Sequence, residues 1–210
     1  MKPAGMILAG GLSSRMGGRD KAFAALGGRP LLAHVVASLQ PQVDALLINS
    51  NSDPARFAGF GLPVRKDCMP GRLGPLAGLL TGMLWARLCL PHATHILSAP
   101  CDIPHLPHDI GVRLATALRV SRAQIALASD DNGLQPTIGL WPIALADRLA
   151  ADLVLGQRGL QAWLQQFAIV RVHHQSLHNI NTPDDLHAAA KRGRTTASPS
   201  LETTRPCALP

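Results

Sequence analysis

The amino-acid pattern predicts one α/β domain built on a mainly parallel sheet. Two observations carry this. Short apolar runs alternate with longer amphipathic stretches from residue 5 to about residue 190, the βαβ order that puts helices on both faces of a sheet. The first run also opens into a Gly-rich, cationic loop, L-A-G-G-L-S-S-R-M-G-G-R-D-K over residues 8–21. Ligands of such sheets bind at the carboxyl ends of the strands, near the topological switch point.

The elements follow in order. Residues 5–8 form a first strand, and the apolar runs at 45–49, 63–66, 95–98, 124–128, 137–141 and 168–172 supply the other strands. Between them, amphipathic stretches predict helices over 30–40, 54–58, 75–88, 108–120, 143–153, 159–166 and 183–191. Pro30, Pro75 and Pro183 stand at helix starts, where a missing N–H costs nothing. Asn181-Thr182-Pro183-Asp184-Asp185 is an N-terminal capping sequence. From about Arg192 periodicity stops and Ser, Thr, Pro and Arg dominate, which predicts a domain over 1–191 and a disordered tail over 192–210.

The 210 residues suffice for one well-cored domain. Apolar residues make up 47 % of them with no Tyr, so the core should be aliphatic. The longest apolar stretch, 75–90, is shorter than the ~20 residues a bilayer needs and contains Arg87, so no membrane partner is expected. A single Lys before the first strand predicts no signal peptide. The net charge of +7 suits anionic ligands. The basic residues are scattered, aromatics are few and no nucleic-acid motif occurs, which argues against nucleic acid. Cys68, Cys89, Cys101 and Cys207 lack C-x-x-C spacing, so neither a zinc site nor a disulfide framework is expected, and a reducing cytoplasm is. His173, His174 and His178 read as surface or strand-edge residues.

The loop after the first strand is the strongest functional signal. Gly10 and Gly11 let backbone N–H groups approach an anion with no Cβ in the way. Arg15 adds a planar fork and Lys21 a compact charge. Neither the P-loop nor the dinucleotide fingerprint fits this window. Asp102, in Ala99-Pro100-Cys101-Asp102-Ile103-Pro104, follows a strand and stands beside the expected phosphate site. From its setting it serves equally as a Mg²⁺ ligand or as a cap for a helix starting near Pro107. Gly74, Pro75 and Gly78 lie on a Gly-rich turn that opens a helix, with Gly78 equally suited to helix–sheet packing. Asn49, Asn51 and Asp67 follow the second and third strands; an Asn amide suits a purine edge or ribose, and any of them suits an ordinary turn.

Gly10-Gly11, Ser13, Arg15-Met16-Gly17 and Asp20-Lys21 spell G-G-x-S-x-R-M-G-x-x-D-K. This resembles the signature loop of nucleotidyltransferases, and most of all the molybdenum cofactor guanylyltransferases (MobA-like). Relatives that activate sugars tend to carry A-A-G and Pro-Lys, and the cytidylyl-transferring relative A-A-G and Asn-Lys; L-A-G-G with Asp20-Lys21 points to the guanylyl branch. The resemblance implies a single-domain, three-layer Rossmann-like fold and transfer of GMP from GTP to the terminal phosphate of molybdenum-molybdopterin, with pyrophosphate released. A CTP-using enzyme, or one with a sugar-phosphate acceptor, is the alternative. It further implies that Arg15, Lys21 and Asp102 are catalytic. Leu8, Ala9, Gly10, Gly11, Lys21, Asn49, Asp67, Gly74, Pro75, Gly78 and Asp102 would bind GTP. Asp102 would hold Mg²⁺. Asn179 and Asn181, in a segment like the family's N-x-N-T-P, together with Arg158, would face the acceptor. Proteins that load molybdopterin or mature molybdoenzymes would be its protein partners.

Overall fold

β1 (Ala4–Leu8) lies inside a seven-stranded sheet, flanked by β4 (Leu46–Asn49) and β6 (His95–Pro100), both parallel to it. The register pairs Gly5 with Leu46 and Ile7 with Ala99. Beyond β4 lies the short β5 (Val64–Arg65). Beyond β6 lie β8 (Gly133–Pro142), β7 (Ile125–Asp130) and the edge strand β9 (Ile169–His173). Within this sheet all pairings are parallel except those of β8, which runs antiparallel to both β6 and β7. The computed structural model describes residues 1–10, 20–71, 73–175 and 177–195.

Period-two alternation explains the two cores. Successive strand side chains point to opposite faces, so Met6 and Leu47 join one apolar cluster while Ile7 and Ile48 join the other. The first face is covered by α2 (Pro75–Cys89), α4 (Ala146–Val154) and α5 (Leu160–Leu164). α1 (Leu31–Leu39) and α3 (Ile110–Val120) cover the second. A sheet buried on both faces needs continuous apolar runs, and β1 and β4 have them. The core is not purely aliphatic: Trp141, Trp163 and Phe57 are among its largest fully buried side chains. Each Trp finds a partner for its N–H, Ser98 Oγ and Asp152 Oδ2 respectively, both at 2.8 Å.

The helix expected at 54–58 is a 3₁₀ segment, Pro54–Phe60, capped by Asp53. A small hairpin, β2 (Ala25–Leu26) with β3 (Arg29–Pro30), was not anticipated. Gly27 and Gly28 make its two-residue turn at φ 58° and 78°, the mirror-image geometry that such hairpins need. It packs with Ile180 and Ala189 of the C-terminal segment. β8 starts at Gly133, before the expected position 137. Pro136 cannot donate to a ladder and sits where the register jumps from Leu127–Gly139 to Ala128–Gln135, a bulge. The last helix, α6 (Pro183–Thr195), runs past the expected end at 191. His174 is buried rather than on the surface, with Nδ1 3.0 Å from Arg113 Nη1. Among the described residues no helix is long and apolar enough to cross a membrane.

Candidate active site

The carboxyl ends of β1, β4 and β6 open on a cavity of about 710 Å³. Leu8, Ala9 and Gly10 form its floor, Asn49, Asn51, Ser52 and Asp67 one wall, and Pro100, Cys101 and Asp102 the opposite wall. Gly74 and Pro75 bring the N-terminus of α2 to it, and Asp20, Lys21, Leu73 and Thr137 complete the lining. Thr137 is held from behind, since its carbonyl accepts from Ser98 Oγ at 2.8 Å, which in turn accepts from Trp141.

Lys21 and Asp102 meet across this cavity, Nζ to Oδ2 at 3.4 Å. Lys21 also donates to Asn181 Oδ1 at 2.5 Å. It opens a 3₁₀ turn, Lys21–Phe23, whose cap is Asp20: Oδ1 accepts the Ala22 N–H at 3.1 Å. The other oxygen of Asp20 pairs with Arg56 at 3.0 Å, and the Arg56 guanidinium lies 4.7 Å from the Phe23 ring centre. The backbone around Asp102 is pinned on both sides. The Cys101 N–H donates to the Leu8 carbonyl at 3.1 Å, and the Ile180 N–H donates to the Asp102 carbonyl at 2.9 Å. Burial raises the Asp102 carboxyl above the usual carboxylate range, and the Lys21 ammonium opposes that rise. Asp102 Oδ1 is buried without a hydrogen-bond partner. It does not cap a helix: α3 begins at Ile110, with Asp109 before it. The Cys101 thiol is pushed up to about 12 by burial first and by Asp102 second, so it is protonated and a poor nucleophile.

The opposite wall is a carboxylate held by two amides. Asn49 is buried, and its Nδ2 donates to the Arg65 carbonyl at 3.2 Å and to Asp67 Oδ1 at 3.0 Å. Asn51 Nδ2 donates to Asp67 Oδ2 at 2.8 Å, and the Asp67 N–H donates to Asn51 Oδ1 at 2.9 Å. Gly78 does not line the cavity. It is buried beneath the wall, and a Cβ there would lie 2.4 Å from Asn49 Oδ1 and 2.6 Å from Leu8 Cδ2. Of the two roles open to it, packing is the one observed.

Asn181 reaches the site through α6. Thr182 and Asp185 form a capping box: Asp185 Oδ2 accepts from the N–H groups of Asn181 at 2.8 Å and Thr182 at 2.9 Å, while Thr182 Oγ1 accepts from the Asp185 N–H at 3.2 Å. These N–H donors hold the Asp185 carboxyl below the usual range. Asn179 is exposed and outside the cavity lining. Arg158 turns away, donating from Nη1 to the Leu153 carbonyl at the end of α4 at 2.6 Å, although its own carbonyl lies beside Gly74. Gly11 and Arg15 lie outside the described residues, as does most of the tail expected over 192–210. The part played by Arg56 was not legible from pattern. An Asp one residue before the Lys signals a cap, but nothing local marks its partner 36 residues on. Among the described residues no group of three or more His, Cys, Asp or Glu could hold a metal ion.

A family model described as a MobA-like NTP transferase domain matches residues 5–175. A molybdenum cofactor guanylyltransferase of Bradyrhizobium sp. (strain ORS 278) is 40 % identical over 193 residues, covering 89 % of this chain and 91 % of its own. The protein of that name from Rhodopseudomonas palustris (strain BisB5) is 44 % identical over 192 residues, covering 89 % and 91 %. Among solved structures, molybdopterin-guanine dinucleotide biosynthesis protein A of Archaeoglobus fulgidus matches with TM-score 0.72 at 20 % identity, over 92 % of this chain and 100 % of that one. A CMP:2-keto-3-deoxy-manno-octonic acid synthetase, solved in complex with CTP, matches with TM-score 0.73 at 14 % identity, over 93 % and 99 %. At these identities the two structures speak to the fold, which is the three-layer Rossmann-like fold of nucleotidyltransferases.

Proposed function

Because the chain belongs to the MobA-like NTP transferase family, we propose that it transfers GMP from GTP to the terminal phosphate of molybdenum-molybdopterin. The observation that carries the reading is the partly buried Lys21–Asp102 pair at the strand ends, lining one cavity with Asp67. The identity of 40 % and 44 % to relatives named for this activity supports the choice of reaction. An acceptor phosphate oxygen forms a bond to the α-phosphorus of GTP, the bond from that phosphorus to the α–β bridging oxygen breaks, and pyrophosphate leaves with the electron pair.

The chain's part in this is positioning and electrostatics. Gly10 offers backbone room for phosphate, and the Lys21 ammonium, fixed by the Asp20 cap, stabilises charge on the leaving pyrophosphate. Arg15 is proposed for the same task. Asp67 stands at the far wall as an acceptor for the base, where guanine presents N1–H and N2–H side by side. Adenine and cytosine each set a ring acceptor beside their amino group and fit it less well. Asn181, bound to Lys21, is proposed to carry the start of α6 to the acceptor side.

Mg²⁺ fits the residues present. Asp102 Oδ1 is a buried oxygen with no partner, and Mg²⁺ takes one or two carboxylates and completes its shell with phosphate oxygens and water. Held by Asp102, it would supply Lewis-acid stabilisation of the charge that builds on the phosphoryl group during transfer. The cytoplasm, where GTP is abundant and thiols such as Cys68 and Cys89 remain free, suits the reading.

Product analysis tests it. Incubation with GTP and molybdenum-loaded molybdopterin should give a pterin–guanine dinucleotide, detected by mass. Intact acceptor alongside an enzyme that turns over a sugar phosphate would overturn it.

A further inference from the structure

Asp67 is gripped at both oxygens, and the two grips differ. Asn49 is buried, and its amide is committed to the protein, with Nδ2 shared between the Arg65 carbonyl and Asp67 Oδ1. Asn51 is exposed, lines the cavity, and makes a paired contact: Nδ2 to Asp67 Oδ2 at 2.8 Å, and the Asp67 N–H back to Asn51 Oδ1 at 2.9 Å. Among the described side chains it alone donates to Oδ2.

A carboxylate has about four lone-pair directions. With one on each oxygen taken by Asn49 and Asn51, one on each remains, and the two bonds together hold the carboxylate plane. Two fixed, coplanar acceptors match two parallel donors. Guanine offers two on the edge in question, N1–H and the 2-amino group; hypoxanthine offers N1–H alone.

We infer that Asn51 is a specificity-determining positioning residue: by fixing Asp67 Oδ2 it makes the site read the 2-amino group of the purine. The inference rests on the reading of Asp67 as the base acceptor. Without the Asn51 donor, the Asp67 carboxylate keeps its Asn49 bond but turns about it, so one donor of the base is held well and the second poorly.

The test is calorimetric binding of GTP and of ITP, which lacks the 2-amino group, to the full chain. Wild type should bind GTP more tightly than ITP. Asn51→Ala should weaken GTP binding about tenfold, the scale of one hydrogen bond to a charged group, and leave ITP within about twofold. Asn51→Asp keeps the Oδ1 acceptor for the Asp67 N–H but replaces the donor by a second carboxylate oxygen. It should lose the GTP–ITP preference at least as fully, whereas a scaffold role through Oδ1 would leave it as wild type. Equal weakening of both nucleotides by Asn51→Ala, or a wild-type ratio in either variant, overturns the inference. The base-reading role of Asp67 is judged separately by Asp67→Asn: if that variant loses the preference while both Asn51 variants keep it, Asp67 reads the base and Asn51 does not position it. If wild type does not prefer GTP at all, both ideas fall.

Discussion

Lys21 Nζ and Asp102 Oδ2 stand 3.4 Å apart although 81 residues separate them in the chain. The contact joins the 3₁₀ turn at Lys21 to the end of β6, and Asn181 adds the start of the last helix to the same ammonium. Three distant segments therefore meet at one cation.

Removing that cation should be costly twice. Lys21→Ala should lower turnover at least about 100-fold, the scale for losing a preorganised charge on the developing anion. It should also destabilise the fold by about 1–3 kcal/mol, because Asp102 is left partly buried without its partner. Turnover under saturating GTP and urea unfolding check the two effects. Adding Asp102→Asn to Lys21→Ala should recover much of the stability and none of the turnover.

Asp102 alone makes a pH prediction. Its carboxyl is raised by burial, so over a window above its ordinary value, near ~3.9, the folded protein holds a proton that the unfolded chain has lost. The stability tied to this group is full below the ordinary value and is lost as pH rises through the folded value. Asp102→Asn cannot titrate. The unfolding free energy of wild type minus that of Asp102→Asn should therefore fall as pH is raised from about 4; a difference that grows with pH contradicts the assignment.

Asp185 should behave with the opposite sign. Its carboxyl is lowered by the N–H groups of Asn181 and Thr182. Its contribution is present above the ordinary carboxylate value and is lost as pH falls through the lower folded one. Asp185→Ala should cost a few tenths to about 1 kcal/mol at neutral pH and nothing in strong acid, as read by chemical unfolding at both pH values.

Gly78→Ala tests the support beneath the cavity wall at Asn49. The added Cβ would meet Asn49 Oδ1 at 2.4 Å and Leu8 Cδ2 at 2.6 Å, so stability should fall by about 1–3 kcal/mol. GTP binding should weaken with it, because Asn49 must move and Asp67 with it. A fall in melting temperature with unchanged GTP affinity would separate Gly78 from the site.

Much of this architecture is legible in the residues. The Asp after β6 and the capping sequence before α6 each carry their signal within a few neighbours, because caps and strand ends are local chemistry. What escapes is what distance creates. Nothing near Arg56 announces that it will hold Asp20, and nothing near Asn51 announces that it will bracket Asp67. Pro136 hid the first residues of β8, since a proline in an apolar run argues against a strand until the bulge that shelters it is known. The buried Trp141 depended likewise on Ser98 arriving from a neighbouring strand.

The most direct test of the central claim is Mg²⁺-dependent pyrophosphate release, measured with GTP and with CTP, each with and without molybdenum-loaded molybdopterin. The account predicts release with GTP only when the pterin is present, and none with CTP. Release with CTP and the pterin, or silence with GTP and a competent acceptor, would contradict it.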